Sequence, residues 1–499
     1  MMDPLVGSRS TTVVRDLIQL REQMAGFEQQ IATGRKSETY AGLGNERSLS
    51  IAFRSDVSRL ESYQSSITMV ELRLSISDQV LTRMDGVASE ARGSMDPNIY
   101  QLVGEGKTQG QVTSYNLLGE TLSMLNSEAG GRYLFGGQDV SSKPVETINA
   151  IMDGDGNRAG FVQHRDERLL ADTGSAGTGR LDVTQPSTTQ VQLGEDGVHP
   201  FGLKIDGVSN GLTNTVLTGP SAAPATFDVA FSGQPIAGET LTVSVTLPDG
   251  TAQNIELVAA AAGQGGDNAF EIGSTPDETA ANLGATLTST LEQLTAVDVR
   301  AASAIAAGTD FFDYEGGGVP QRIDGPPFDS ATALRDATEA DTVFWYTGEN
   351  GTDPARSSAT ARIDDNLTIS YGARANEDAF RVLVQNLAVF SSSTFTDGDP
   401  NDEARYSQLA DKTLQNISYP AGVQKLEQIA GELSAARSAA NNANTRHTIK
   451  SGQLQSMVDG IESADLNEVS VSLLTLQTRL EASYRATSIL FDMSLVNYI

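Results

Sequence analysis

Cysteine is absent from all 499 residues, which excludes disulfides, thiolate metal ligands and cysteine nucleophiles together. Aromatic residues are scarce at 6%, so a large aromatic-rich core is not expected. Basic charge is also in short supply: 34 Lys and Arg face 64 Asp and Glu, a formal net charge of −30. So acidic a surface repels nucleic-acid phosphates and anionic lipid heads, and neither is an expected partner. No run of about 18 apolar residues occurs, and no bilayer-spanning helix is expected. The opening Met1-Met2-Asp3-Pro4-Leu5-Val6-Gly7-Ser8-Arg9-Ser10 has no apolar core of a general secretory signal. The expectation is a cytosolic chain, or one that leaves by a route reading no cleavable signal.

What the chain does have is helical periodicity at both ends. Leu17, Leu20, Met24, Phe27 and Ile31 recur at alternating steps of three and four. The pattern breaks at Thr33-Gly34-Arg35-Lys36 and the glycine-bearing Tyr40-Ala41-Gly42-Leu43-Gly44. A second helix is predicted from about Leu49 to Ala91, with the seam Leu60, Tyr63, Ile67, Val70, Leu74, Ser77, Leu81, Met84, Ala88 and Ala91. At roughly 1.5 Å per residue it would run on the order of 60 Å, too long for the interior of an ordinary globule. After Met95-Asp96-Pro97-Asn98, the residues Tyr115, Leu118, Leu122 and Leu125 predict a third helix reaching Gly130-Gly131.

Helical spacing returns at Phe380, Leu383, Leu387 and Phe390 and pauses at Thr396-Asp397-Gly398-Asp399-Pro400. It then resumes with Leu426, Ile429, Leu433, Ala436, Ala440, Ala443, His447, Lys450, Leu454, Met457, Ile461 and Ala464. Apolar residues held at a and d positions for so long are suited to lying along another helix. His447 and Lys450 in that seam are expected to set register or to meet a carboxylate.

The middle differs in kind. Residues 141–370 hold 11 basic and 32 acidic side chains, a balance of −21, and most of the excess negative charge. Phe227–Phe231 and Leu241–Leu247 alternate as strands do, and Pro248-Asp249-Gly250-Thr251 before Ile255 and Leu257 predicts a hairpin. Thr275, Pro276 and Glu278 form a helix start with a capping box, followed by an apolar face of Leu283, Leu287, Leu291 and Leu294. A further hairpin is predicted over Arg362 to Tyr371.

No residue set carries a reaction. Asp153-Gly154-Asp155-Gly156-Asn157 begins like a calcium loop, but Arg158 stands where an EF-hand needs Gly and His164 where it needs Glu. A surface turn is the expectation. His164, His199 and His447 are scattered without a metal-binding spacing; neither a Gly-x-Ser-x-Gly elbow nor a phosphate-binding Gly-x-x-x-x-Gly-Lys loop is expected. Trp345, between Phe344 and Tyr346, is expected on a strand in a small core rather than on a ligand platform. No catalytic, cofactor or metal residue is assigned, and an enzyme is not expected.

The end regions resemble the flagellin superfamily, and within it the branch that joins hook to filament. The residues carrying the resemblance are Leu20–Ile31 with Ala32-Thr33-Gly34-Arg35-Lys36, and Gly131-Arg132-Tyr133-Leu134-Phe135-Gly136-Gly137. Ala373-Arg374-Ala375-Asn376-Glu377-Asp378-Ala379-Phe380-Arg381 is similar to the stretch by which such proteins re-enter the helical domain. The most specific match is the tail, Leu480–Ser488 with Ser494-Leu495-Val496-Asn497-Tyr498-Ile499. It lacks the Gln/Ala/Asn-rich ending of filament flagellins, which puts the junction branch ahead. One departure is Ser37-Glu38-Thr39-Tyr40, where these proteins commonly carry an Asp-Asp-Pro loop. The resemblance covers roughly half the chain, at its two ends.

The implied fold is mainly α at both termini, a long antiparallel helical bundle or coiled coil, with an inserted α+β, β-rich middle domain. Its divisions are 1–48, an axial helix and loop; 49–140, the first half of the bundle; 141–370, the acidic outer insertion; 371–460, the second half; and 461–499, the C-terminal axial helix. The assembly interface is expected at Leu17, Leu20, Met24, Phe27, Ile31, Leu473, Leu476, Leu480, Tyr484, Leu490, Leu495 and Tyr498. The resemblance implies export of the unfolded chain through a flagellar type III channel, placing it outside the cell at the hook-filament junction. Implied partners are further copies, a hook-side junction protein, filament flagellin and a cytosolic chaperone on the C-terminal helix; no cofactor is implied. The competing expectations are a filament flagellin, and a secreted enzyme or glycan-binding protein acting through the middle domain. Ordering a residue costs roughly 1 to 2 kcal/mol of backbone entropy, so terminal seams without neighbours should fray until other copies cover them.

Overall fold

The computed structural model describes residues 4–221 and 223–496, and side-chain surroundings for 12–221, 223–314 and 316–489. Helices stand at both ends and a sheet-containing stretch lies between them. Helix α1 (Pro4–Thr33) stops where Gly34 takes φ +69°, a conformation that glycine reaches without a Cβ penalty. A 3₁₀ segment at Tyr40–Glu46 leads into the 48-residue α2 (Arg47–Ser94). The short pair β1 (Leu102–Gly104) and β2 (Lys107–Thr108) precedes α3 (Gln109–Leu125), which starts in a reciprocal capping box between Thr108 and Gln111. This helix ends at Leu125, short of Gly130. Asn126 turns outward there, and its side chain both donates to and accepts from the Val145 backbone at 3.0 and 3.1 Å.

Two helices that the sequence reading does not foresee follow, α4 (Ile148–Asp153) and α5 (Phe161–Thr173). Strands β3 (Leu181–Ser187), β4 (Gln190–Glu195), β5 (Lys204–Asn210), β6 (Thr215–Ser221), β7 (Thr226–Phe231), β8 (Thr240–Thr246), β9 (Ala252–Ala260) and β10 (Ala269–Glu271) make two four-stranded sheets. Their orders are β3-β4-β7-β6 and β10-β9-β8-β5. The predicted hairpin is β8 with β9, antiparallel, with Val243 opposite Ile255. Helix α6 (Pro276–Leu294) begins with the Thr275 side chain accepting from the Glu278 amide. The Glu278 carboxylate reaches one residue further back than a capping box requires, to the Ser274 amide at 2.7 Å.

A π-turn at Thr295–Val299 connects to α7 (Arg300–Phe312). Small pairs β11 (Gln321–Ile323) with β12 (Leu334–Asp336), and β13 (Thr360–Asp364) with β14 (Leu367–Ser370), come next. The chain closes with α8 (Asp378–Ser392), α9 (Asp402–Ile417), α10 (Leu426–Glu462) and α11 (Leu466–Val496).

Contacts divide the chain into two units, one of Met1–Val70, Arg362–Thr368 and Ser438–Ile499, the other of Glu71–Ala361 and Ile369–Arg437. The boundaries fall inside α2, β13, β14 and α10. In the second unit the two sheets and α6 share a core of Leu193, Phe227, Val243, Leu257, Leu283 and Leu287 among others. Elsewhere in this unit α8 is buried almost all round, packed by α3, α7 and α9. An aromatic chain of Phe161, Phe311, Phe312 and Trp345 lies beside it, with Trp345 fully buried and its Nε1 donating to the Phe312 carbonyl at 3.0 Å. Trp345 is thus a core residue, but it stands at a bend rather than on the expected strand, in a segment joined by the isolated bridges Ala159–Thr342 and Val145–Tyr346.

In the first unit, α2 and α10 run antiparallel. Arg54 meets Glu462, and ten residues on Gln64 meets Asn444 and Thr448. The tip of the β13–β14 hairpin belongs here: the Tyr63 hydroxyl donates to Asp365, and Ile363 is fully buried. Of the two roles expected for His447, meeting a carboxylate is not found: its Nε2 bonds the Ile363 carbonyl at 2.7 Å, and its ring stacks on Tyr63. Lys450 is exposed instead of seated in the seam. Met457 is 52% exposed, and Val458 takes the buried place between Leu454 and Ile461. A helix of 3.6 residues per turn drifts against a 3.5-residue repeat, so the buried face moves on by one position.

Candidate assembly interface

Helices α1 and α11 pack against each other. The end of α1 is tied to the start of α11 by the Ala464 amide, which donates to the Gly34 carbonyl at 2.9 Å. Further along, the Arg21 guanidinium lies 6.0 Å from the Tyr484 ring, a cation–π contact. Position 34 meets 464 and position 21 meets 484, so the two helices are antiparallel.

Of the sequence-predicted interface residues, Leu17, Leu20, Met24, Phe27, Leu473 and Leu480 are half-buried, and Leu476 is buried. Ile31 and Tyr484 are exposed, at 39% and 41%. Leu490 and Leu495 lie outside the described side chains, and Tyr498 lies outside the described residues. Pairing thus covers one stripe only in part. From Thr12 to Thr33 no described side chain of α1 is buried.

A second set of apolar residues, which the a and d pattern does not mark, stays open. On α1 these are Val14 and Ile18, and on α11 Leu466, Val471, Leu474 and Ile489. Val471 and Leu474 are 64% and 63% exposed and one turn apart. Each such side chain gains about 1.5 to 3 kcal/mol on full burial, so covering them would supply a large driving force. The signal in sequence was the width of the stripe: Ile18 beside Leu17, and Val471 and Leu474 beside Leu473.

The joint between the helices is polar and well tied. Glu462, at the end of α10, accepts from Ser50 at 2.6 Å and from Arg54 at 2.7 and 2.5 Å. The Lys36 amide donates to the Glu462 carbonyl at 2.7 Å. The hydrogen bond from Arg54 above all, then that from Ser50, pulls the Glu462 carboxyl down to about 2 from about 4.5. A folded value below the unfolded one means that this contribution is complete above about 4.5 and is lost as pH falls through about 2. Glu462→Gln should therefore cost about 1 kcal/mol at neutral pH. In urea unfolding, the wild-type advantage over the variant should narrow as pH drops below about 4.5; a pH-independent gap would refute the assignment.

The histidines are absorbed by structure. His164 is fully buried against Phe311, and burial, reinforced by Arg322 and Arg168, pushes it down to about 3, so it is neutral. His199 pairs with Asp196 at 2.6 Å, and its Nδ1 accepts from the Phe201 amide. Among the described residues none of the three bonds a serine or threonine hydroxyl. Against the expectation of no Gly-x-Ser-x-Gly elbow, Gly207-Val208-Ser209-Asn210-Gly211 does spell that pentapeptide of hydrolases. It begins on β5, where Ser209 pairs with Thr242 of β8, and not at a strand-to-helix elbow. The Asp153–Asn157 stretch closes as a turn, with Asp155 accepting from the Asn157 and Arg158 amides and pairing with the Arg158 guanidinium. No group of three or more metal-ligating side chains converges among the described residues. No protein-family model matches the sequence, and comparison with curated proteins gives no match.

Proposed function

We propose that the chain is a structural assembly subunit of the flagellin class, whose terminal helices form a bundle by coiled-coil packing with further copies. Within that class we place it with the hook-filament junction proteins, of the kind called hook-associated protein 3, acting as an adaptor between hook and filament. The observation that supports this reading most is the unfinished burial of α1 and α11: after pairing with each other, both still present Val14, Ile18, Val471, Leu474 and Ile489 to solvent. The resemblance of the tail and of the Thr33–Lys36 break supplies the junction assignment. On this reading the chain passes unfolded through a flagellar type III channel with a chaperone on its C-terminal helix, and then orders against its neighbours.

Deletion of the gene tests it. The adaptor reading expects intact hooks, no filaments, and filament subunits in the medium; normal filaments would reject it. Immunogold labelling confined to the base of the filament is expected, whereas labelling along its whole length would move the chain to the filament.

A further inference from the structure

Histidine is the side chain whose ordinary titration falls between about pH 5 and pH 8, and the chain has three. Two of them are bonded: His199 to Asp196 and the Phe201 amide, and His447 to the Ile363 carbonyl. His164, on α5, is different. It has no exposed surface, and neither its Nδ1 nor its Nε2 has a hydrogen-bond partner among the described residues.

The charged groups around the ring come from α5 itself, β11 and α7. Arg168, one turn further along α5, and Arg322 of β11 both act against a positive charge on it. The carboxylates nearby are committed elsewhere. Glu167 holds Arg322 at 2.5 Å, Asp172 holds Arg168 at 2.8 Å, and Asp310 of α7 holds Arg168 at 2.5 Å. Asp310 Oδ2 stays 4.0 Å from His164 Nε2, beyond hydrogen-bond reach. Helix α4 and the turn Thr295–Val299, which also pack on α5, carry Asp153 and Asp298, and neither reaches the ring. The ring of Phe311 lies against its face. An imidazolium here would be desolvated, flanked by two guanidinium groups and left without an acceptor, so the folded chain keeps the ring neutral. In the unfolded chain nothing bars the proton, and the ring takes it near the ordinary value of 6.5.

We infer that His164 makes the second unit acid-sensitive: the packing of α5 on α7 and β11 is secure while the ring is neutral, and mild acid weakens it through a proton that only the opened chain accepts. Burial first, then Arg322 and Arg168, push the folded value down to about 3, below the unfolded one. For a base, that order means stability is complete above about 6.5 and falls as pH drops below it, towards about 3. One such proton lowers the folding equilibrium constant by about 25-fold between pH 7 and pH 5. The window is separate from that of Glu462, whose contribution is lost only below about 4.5. Asp310 acts in the opposite sense, because burial pushes its carboxyl up and its folded form takes a proton more readily than its unfolded one.

Urea unfolding of the full chain at pH 7 and pH 5, read by Trp345 fluorescence in wild type and in His164→Gln, tests the inference. Glutamine keeps a polar side chain at this position and takes up no proton, so the contributions of all other groups are common to both proteins. Between the two pH values the folding constant of wild type should fall about 25-fold further than that of the variant. Should His164→Gln fail to fold, a titration of native wild type with isotope-labelled histidine, followed by NMR, decides. The His164 ring signal, assigned by difference from His199→Gln and His447→Gln, should keep its neutral-form position down to pH 5. Equal pH dependence in wild type and variant would overturn the inference. So would a steeper fall in the variant, which would mean that a protonated ring pairs with Asp310, or a His164 signal that titrates between pH 7 and pH 5.

Discussion

Leu474→Asp combined with Val471→Asp is expected to leave the isolated subunit as stable as wild type and to abolish its self-association. Both side chains are more than 60% exposed on α11, so in the monomer the change only trades apolar surface for charge in water. In an assembly that covers this face, each aspartate would be desolvated without a partner, at a cost of roughly 3 kcal/mol. One such substitution lowers an association constant by about a hundredfold, and two by far more. Ile236→Asp is the matched control, since Ile236 is equally open at 64% but lies between β7 and β8, in the second unit. Analytical ultracentrifugation should show monomers for the α11 variant at concentrations where wild type and the control assemble. Loss of assembly in both variants, or in neither, would dissociate the open face from polymerisation.

The second large effect concerns the buried charges of the second unit. Arg322 on β11 places Nη2 2.5 Å from both oxygens of Glu167 on α5, with both side chains over 90% buried. Next to it on α5, Arg168 pairs with Asp172 at 2.8 Å and with Asp310 of α7 at 2.5 Å. Removing one partner strands a cation in a low-dielectric interior, so Glu167→Ala should cost about 3 to 5 kcal/mol. Replacing the pair together, Glu167→Leu with Arg322→Met, removes both charges and should recover most of that loss. The single tryptophan, Trp345, is in this unit, so its fluorescence in urea reports the relevant transition. Equal destabilisation by the single and double variants would show that packing, not the unpaired charge, sets the cost.

Helical periodicity carried much of the fold because the seams obey local rules. In α2 every expected seam residue from Leu60 to Ala91 is buried except the half-buried Tyr63. The β8–β9 hairpin was legible for the same reason: alternation sets the faces and Pro248–Thr251 sets the turn. Helices α5 and α7 were not legible, because their stabilisation is non-local. Helix α5 buries Glu167 and Arg168 through ion pairs to β11 and α7, partners more than 130 residues away, with Asp172 paired to Arg168, and such residues read as a solvated face. Helix α7 is alanine-rich and buried over Ala301–Gly308, Phe311 and Phe312, and a run of small residues such as Ala301-Ala302-Ser303-Ala304 has no period to read.

At the ends of the chain the stripe residues were visible, but their degree of burial was not. A heptad pattern says which face is apolar, not whether one neighbour suffices to cover it. Exposure of Ile18 and Leu474 beside half-buried Leu17 and Leu473 distinguishes the two cases. Helices α7, α8 and α9 pack on one another, so removing residues 141–370 would also open the buried faces of α8. Point substitutions therefore separate assembly from folding more cleanly than that deletion.

Amide hydrogen exchange over residues 12–33 and 466–489, on dispersed subunits and on assembled material, tests the central claim most directly. Exchange within seconds in the dispersed chain and strong protection after assembly is the predicted result. Full protection of both segments in single molecules that neither polymerise nor bind flagellar components would contradict it.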